Sequence, residues 1–401
     1  MNNDYLIYAK FHFITDIPEC FFDFLQILIG NIKNITSEIY HEQKSQTTKM
    51  NILIDINHPA HVHYFKCFIC EMQKRGHKIL ITASEKEITY QLLTKYQFDF
   101  IKLGAHGNSM IKKIINLPVM IFYMYLAARN FKPDLFLGFG SIRAVHTAAI
   151  LRKPSINFED TEDSIGQIRL YIPFVKCVCT PTGFLRDLGP KQIRFRGYLE
   201  LAHLHPNWFI PNPVVLEESG LKETETFIIV RFVSWGATHD IGHHGINDKI
   251  GLVKALEKYG RVLITSEGDL PPELKPYLIK ISPDKIHDLL SFASLYVGEG
   301  ATMAAEAAVL GTPSIFVSSL ASRLGNFIEL EHTYDLLYSF TDADSALEKS
   351  IEILKNKKSK ENWIVKRERM LKDKIDVTAF MVWLIENYPK SFEDLKKQAV
   401  S

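Results

Sequence analysis

Short apolar runs alternate with longer amphipathic stretches in two successive series, and prolines interrupt the pattern once between them. The first series opens at Met50 with Asn51-Ile-Leu-Ile-Asp-Ile56, a continuous apolar run of the length that suits a strand buried on both faces. Further strand-like runs lie at 78–82, 99–102, 134–138, 154–158 and 175–179, separated by helical patterns such as 61–75, 85–96, 111–130 and 141–151. Strands alternating with helices predict βαβ units and a parallel sheet covered by helices. Three prolines within eight residues, Pro206 to Pro213, can continue neither element, so a junction is expected at 203–215. A second series places strands at 227–232, 261–265, 294–297 and 313–317, and helices at 247–258, 284–292, 301–310 and 322–331. The tail reads as helices at 343–356, 359–372 and 376–388.

The expected fold is α/β, with two doubly wound, Rossmann-like domains facing each other across a cleft. A length of 401 residues suits two cores rather than one. The expected divisions are a leading segment at 1–49, domains at 50–205 and 216–373, and a closing helical segment at 374–401. The leading segment clusters aromatics without a period and is read as an appendage or an over-extended start of translation. Ligands of such paired sheets bind beyond the carboxyl ends of the strands.

Charge and cysteine usage narrow the function. Lys plus Arg (47) nearly balance Asp plus Glu (46), which argues against a general nucleic-acid binder. Five cysteines are an odd number in a long chain, so a reducing cytoplasm is expected. Met1 to Ala9 lacks the pattern of a signal peptide. The most apolar stretch, 114–128, is shorter than the roughly 20 residues needed to span a bilayer. Flanked by Lys112, Lys113, Arg129 and Lys132, it is either a buried helix or one that rests on the inner, anionic membrane surface, with 111–130 as the contact.

The most informative run is Val297-Gly-Glu-Gly300-Ala301-Thr302-Met-Ala-Ala-Glu306, which leads to Pro313-Ser-Ile-Phe-Val317. A strand ending in glycines before a helix presents free N–H groups and a positive dipole end to an anion. Thr302 adds a hydroxyl, and Glu306 follows one turn later on the same face. That spacing suits a diphosphate at Gly300 and Ala301 with a ribose beside Glu306; a plain α/β turn with a solvated Glu306 is the alternative.

This run resembles the donor-binding motif of the GT-B superfamily, as in the peptidoglycan N-acetylglucosaminyltransferase and the non-hydrolysing UDP-N-acetylglucosamine 2-epimerase. The order of motifs also resembles an uncharacterised prokaryotic family of this architecture. The resemblance implies that Gly300 begins the diphosphate site, that Glu306 binds ribose, and that Arg323 and Asn326 lie where the transferase contacts the donor sugar. It also implies that His61, in Asn57-His58-Pro59-Ala60-His61, stands at a catalytic or substrate-orienting position, although a structural helix-start histidine is equally compatible. The glycines of the transferase loop are replaced here by Asn-His-Pro-Ala. Asn57, His58 and Ser141 fall on the acceptor side, and Glu159 or Asp160 matches a carboxylate lining the sugar site, unless 159–163 is a solvated acidic loop.

Arg231 at a strand end suits a phosphate clamp, and Ser234 and His239 in the following loop suit the nucleotide sugar and catalysis. This loop departs from both named families. His58, His61 and His63, or His239, His243 and His244, offer weaker metal-ligand groupings, and no metal is expected. Cys67 and Cys70 on a helix, and Cys177 and Cys179 in a strand, are read as buried thiols, the latter two on opposite faces. Phe380, Trp383 and Leu384 form a packing stripe on the closing helix, which in GT-B proteins often crosses back onto the first domain.

The expected activity is a metal-independent glycosyltransferase that uses a UDP-sugar of the UDP-N-acetylhexosamine class, with no cofactor and an acceptor that can be lipid-linked. A 2-epimerase and a non-catalytic nucleotide-sugar binder are the alternatives. The sequence carries no signature of a particular oligomeric state.

Overall fold

The structure is a computed structural model that describes residues 49–400, apart from 106, 108, 109, 234–245 and 320–322. Expectations for Ser234, His239, His243, His244 and the leading segment therefore lie outside the described residues.

The first sheet comprises β1 (Asn51–Ile56), β2 (Lys78–Ala83), β3 (Phe100–Lys102), β4 (Leu135–Phe139), β5 (Ser155–Phe158), β6 (Cys177–Pro181) and β7 (Gln192–Phe195). Its order is β3-β2-β1-β4-β5-β6-β7, parallel throughout. The helices of this half are α1 (Pro59–Lys74), α2 (Thr89–Lys95), α3 (Met110–Phe131), α4 (Ile142–Ile150) and α5 (Ile165–Tyr171). Two short helices, α6 (Leu201–Leu204) and α7 (Val214–Glu218), follow before the second sheet.

The second sheet contains β8 (Phe227–Phe232), β9 (Arg261–Ser266), β10 (Leu295–Gly298), β11 (Ser314–Val317) and β12 (Leu337–Phe340), in the order β12-β11-β10-β8-β9. It carries α8 (Lys249–Leu256), α9 (Ile286–Phe292), α10 (Ala301–Leu310), α11 (Gly325–His332), α12 (Ala343–Lys355) and α13 (Ser359–Asp373). The chain ends in α14 (Val377–Glu386) and α15 (Lys390–Val400). This is the expected GT-B-like architecture of two parallel sheets.

β1 shows why its run is apolar on both faces, with Asp55 near its end as the exception. Ile52, Ile54 and Ile56 join α1 in one core, while Leu53 packs with Met120, Met124 and Ala128 of α3 on the opposite face. Burial on both faces removes the polar alternation that a half-exposed strand would show. α1 starts because His58 caps it, with Nδ1 accepting the Ala60 N–H at 3.2 Å, and Pro59 occupies its first turn. The helix therefore begins two residues before the expected start at His61.

α14 returns to the first half of the chain. Thr378 Oγ1 donates to the Ala202 carbonyl at 2.6 Å, and Glu386 meets Arg75 at 2.9 Å and His77 at 3.2 Å. Phe380 and Leu384 face inward, whereas Trp383 is 41% exposed.

Two strands were not expected, β7 and β12, and both lie at sheet edges. β7 alternates half-buried, buried, exposed, buried, so it lacks a continuous apolar run. Cys177 and Cys179 share one face, with sulfurs 3.6 Å apart, because strand residues two apart point the same way. Cys67 is buried as expected, but Cys70 is exposed. α3 buries one face and leaves Ile115, Tyr123 and Leu126 exposed at helical spacing. Among the described residues, no helix is long and apolar enough to cross a membrane.

Candidate functional site

The strand orders reverse direction beside β1 and β4 in the first sheet and beside β8 and β10 in the second. Crevices form at such switch points, at the carboxyl ends of the strands. The sequence places Asn57, His58 and Gly140 at the first and Arg231, Gly298 and Gly300 at the second.

On the second side, Gly300 precedes α10 as its N-cap, and no side chain among the described residues caps the N–H groups of its first turn. A Cβ at Gly298 would lie 2.7 Å from Arg231 Cβ and 2.6 Å from Tyr296 Oη, so only glycine lets β8 and β10 close here. Arg231 consequently lies against Gly298 and Gly300, beside the helix start, and its Nη2 donates to Glu267 Oε1 at 2.6 Å. Ala301 and Thr302 are half-buried in the first turn. Glu299 holds the nearby loop at both ends: its carboxylate accepts the Val233 N–H at 3.0 Å and the Ile246 N–H at 2.7 Å.

Glu306 lies where expected along α10, but its carboxylate has other partners than the open space before the helix. It is 4% exposed, and its Oε1 is 3.0 Å from His287 Nε2 and 3.6 Å from His203 Nε2. Burial opposes its ionisation, yet the two imidazoles outweigh that and hold the carboxyl well below its usual range. This engagement turns Glu306 away from the ribose role. Arg323 is exposed. Asn326 is buried against Gly183, at a contact between the two halves where Glu162 Oε1 also accepts the Gly325 N–H at 3.0 Å. A sugar contact by Asn326 would require that contact to open.

On the first side, His58 is kept neutral, lowered to about 3 by burial and by the charges of Lys86 and Arg231. Since Nδ1 accepts from Ala60, the neutral ring carries its proton on Nε2 and offers a donor there. His61 sits against Phe139 and Tyr64, with ring centroids 5.0 and 6.3 Å away, and its buried Nδ1 has no hydrogen-bond partner among the described residues. Burial lowers its pKa well below the usual imidazole value. Asn57 is half-buried at the end of β1.

The acidic pair divides by environment. Glu159 spends both oxygens: Oε1 accepts the N–H groups of Asp160 at 3.2 Å and Thr161 at 3.1 Å, and Oε2 accepts the Tyr171 hydroxyl at 3.0 Å. Burial and Asp160 push its pKa up to about 8. Asp160 is half-buried and accepts only the Thr161 hydroxyl at 3.1 Å among its side-chain bonds. Burial raises it to about 6. Its charge is felt by Tyr64 and by Glu200, so the three groups lie near one another in the first half.

Ser141 is committed elsewhere. Its hydroxyl donates to Asp55 Oδ2 at 2.5 Å and accepts the Ala144 N–H at 3.1 Å, capping α4 beneath the crevice. Asp55 also accepts Arg143 Nη2 at 2.9 Å and Nε at 3.1 Å, and the Thr82 hydroxyl at 2.9 Å. Ser141 thus supports the crevice floor instead of meeting an acceptor.

Sequence reasoning missed Glu200 and His203. Glu200 is buried, bonded by the Tyr64 hydroxyl at 3.4 Å, and raised to about 8 by burial and by Asp160. Both follow β7, and recognising that edge strand was the available signal. The grouping of His58, His61 and His63 is not realised: His63 turns to His203 and His287, with ring centroids 5.4 and 4.6 Å away.

A family model described as "Protein of unknown function (DUF354)" matches residues 50–387. An uncharacterised protein of Methanocaldococcus jannaschii is 25% identical over 279 residues, covering 66% of this chain and 81% of that protein. Among solved structures, the UDP-GlcNAc 2-epimerase of Neisseria meningitidis bound to UDP-GlcNAc superposes with a TM-score of 0.62 at 14% identity. The match covers 84% of this chain and 99% of that one. The spinosyn forosaminyltransferase gives 0.58 at 13% identity, over 84% and 100% of the two chains. A glycosyltransferase of Streptomyces sp. SF2575 gives 0.53 at 15% identity, again over 84% and 100%. At these identities the likeness to the solved structures is one of fold.

Proposed function

Because the chain belongs to the DUF354 family and has a GT-B-like architecture, we propose that it is a nucleotide-sugar enzyme, a glycosyltransferase that uses a UDP-N-acetylhexosamine. The observation that carries this reading is the start of α10 beside Arg231, whose charge is felt by His58 at the end of β1. The N–H groups of Ala301 and Thr302 and the Arg231 guanidinium bind the diphosphate and stabilise the charge that develops on it as the glycosidic bond breaks. That charge needs no metal at the diphosphate.

Asp160, at about 6, is ionised at neutral pH yet still basic enough to receive the acceptor hydroxyl proton. His58 Nε2–H orients the sugar, and His61 packs behind it. Glu159 shapes the loop that carries Asp160. The acceptor is a hydroxyl compound, lipid-linked if the exposed face of α3 rests on the inner membrane surface, where Ile115, Tyr123 and Leu126 would meet lipid beside Lys112 and Arg129.

One observation favours 2-epimerisation as a second reading. Glu200, protonated below about 8, and Asp160, ionised above about 6, supply an acid and a base at one crevice. Incubating the protein with UDP-N-acetylglucosamine alone and following the sugar by NMR separates the two: a 2-epimer formed without acceptor establishes epimerisation. Absence of any UDP-sugar binding by calorimetry overturns both.

A further inference from the structure

We propose that His63, His203, His287 and Glu306 bind one divalent transition-metal ion, zinc by its donor set, which ties the two halves of the molecule together. The three imidazoles each offer a ring nitrogen, and these atoms lie within 4.8 Å of one another. They come from α1, α6 and α9, and Glu306 comes from α10, so the cluster joins the first half, the connecting segment and the second half.

The site is buried, and His203 within it lacks a hydrogen-bond partner among the described residues. His63, His203, His287 and Glu306 are 6%, 1%, 3% and 4% exposed. Among the described residues, neither ring nitrogen of His203 has a hydrogen-bond partner, and its Nε2 stands 3.6 Å from Glu306, beyond bonding distance. A buried polar group left in that state is unfavourable, and a cation received by both side chains relieves it. Around a tetrahedral zinc with bonds near 2.0–2.1 Å, neighbouring ligand atoms stand about 3.3 Å apart. Glu306 Oε1 lies 3.0 and 3.6 Å from the Nε2 atoms of His287 and His203, close to that spacing already. Small ring rotations bring in His63, whose Nδ1 is paired with the Tyr96 hydroxyl at 3.1 Å, leaving Nε2 as the ligand. Tyr96 then orients this ligand from behind.

Three imidazoles with one carboxylate suit zinc over magnesium or calcium, which prefer oxygen ligands. Four protein ligands at a buried place make a closed, structural site. The ion would fix the angle between the sheets, and the diphosphate retains its own helix start and arginine.

The test uses the full chain without an affinity tag, stripped with chelator and titrated with Zn2+ or Co2+ by calorimetry and visible absorption. Saturable binding of one ion per chain and a four-coordinate Co2+ spectrum are expected. His203→Ala and Glu306→Gln should each weaken binding beyond the roughly 10–100-fold typical of losing an outer partner, while exposed His332→Ala leaves it unchanged. If His203→Ala fails to fold by circular dichroism, His63→Gln replaces it. No saturable binding, or folded variants that bind as tightly as the parent, would overturn the proposal. UDP binding measured on the stripped protein keeps this outcome separate from the nucleotide-sugar reading.

Discussion

Arg231 Nη2 donates to Glu267 Oε1 across 2.6 Å, linking the ends of neighbouring strands β8 and β9 directly beside the start of α10. A guanidinium held by one carboxylate keeps further donors for an incoming diphosphate. Arg231→Ala is expected to weaken UDP binding at least about tenfold, and Arg231→Lys to restore little of it, because an ammonium lacks the planar fork. Calorimetric Kd values for the three proteins check this, and equal affinities would remove Arg231 from the site.

Asp160 should control turnover more than binding. Asp160→Asn is expected to lower kcat by about 10²–10⁴-fold with the UDP Kd nearly unchanged. The parent enzyme's kcat/KM should rise with pH through about 6, the value set by burial of this carboxyl. A profile flat from pH 5 to 8 would assign the proton transfer to another group.

Glu159 predicts a stability trend of defined sign. Its folded-state pKa of about 8 lies above the ordinary 4.5, so the folded chain holds a proton that the unfolded chain has released over that interval. Its contribution is complete below about 4.5 and is lost as pH rises through about 8. Glu159→Gln, which mimics the protonated form, should therefore match the parent at pH 4.5 and exceed its denaturation midpoint at pH 8.5. Equal shifts at both pH values would contradict the assignment.

Asp55 and Arg143 form a fully buried pair under the crevice floor. Removing one partner leaves an uncompensated charge, so Arg143→Met should cost about 3–5 kcal/mol in urea unfolding. Asp55→Asn should also loosen Ser141 and hence the cap of α4. A loss below about 1 kcal/mol would show that water reaches the pair.

Vesicle sedimentation tests the exposed face of α3. Ile115→Ser combined with Leu126→Ser should reduce binding to anionic vesicles without altering UDP affinity. If the parent chain fails to sediment with such vesicles, the face has another role.

The sequence by itself determined the two parallel sheets, because double-sided burial imposes uninterrupted apolar runs at Ile52–Ile54 and Phe227–Val230. It also determined the start of α10, where a glycine turn must precede a helix with an uncapped first turn. Edge strands β7 and β12 escaped, since they are short and only partly covered, and with β7 went Glu200 and His203. Tertiary structure alone decided how side chains distant in sequence share burial. It gave Ser141 to Asp55, spent Glu159 on its own loop, and turned Glu306 toward His203 and His287. A buried polar atom takes the nearest compatible partner in space, and no local spacing records which residue that will be.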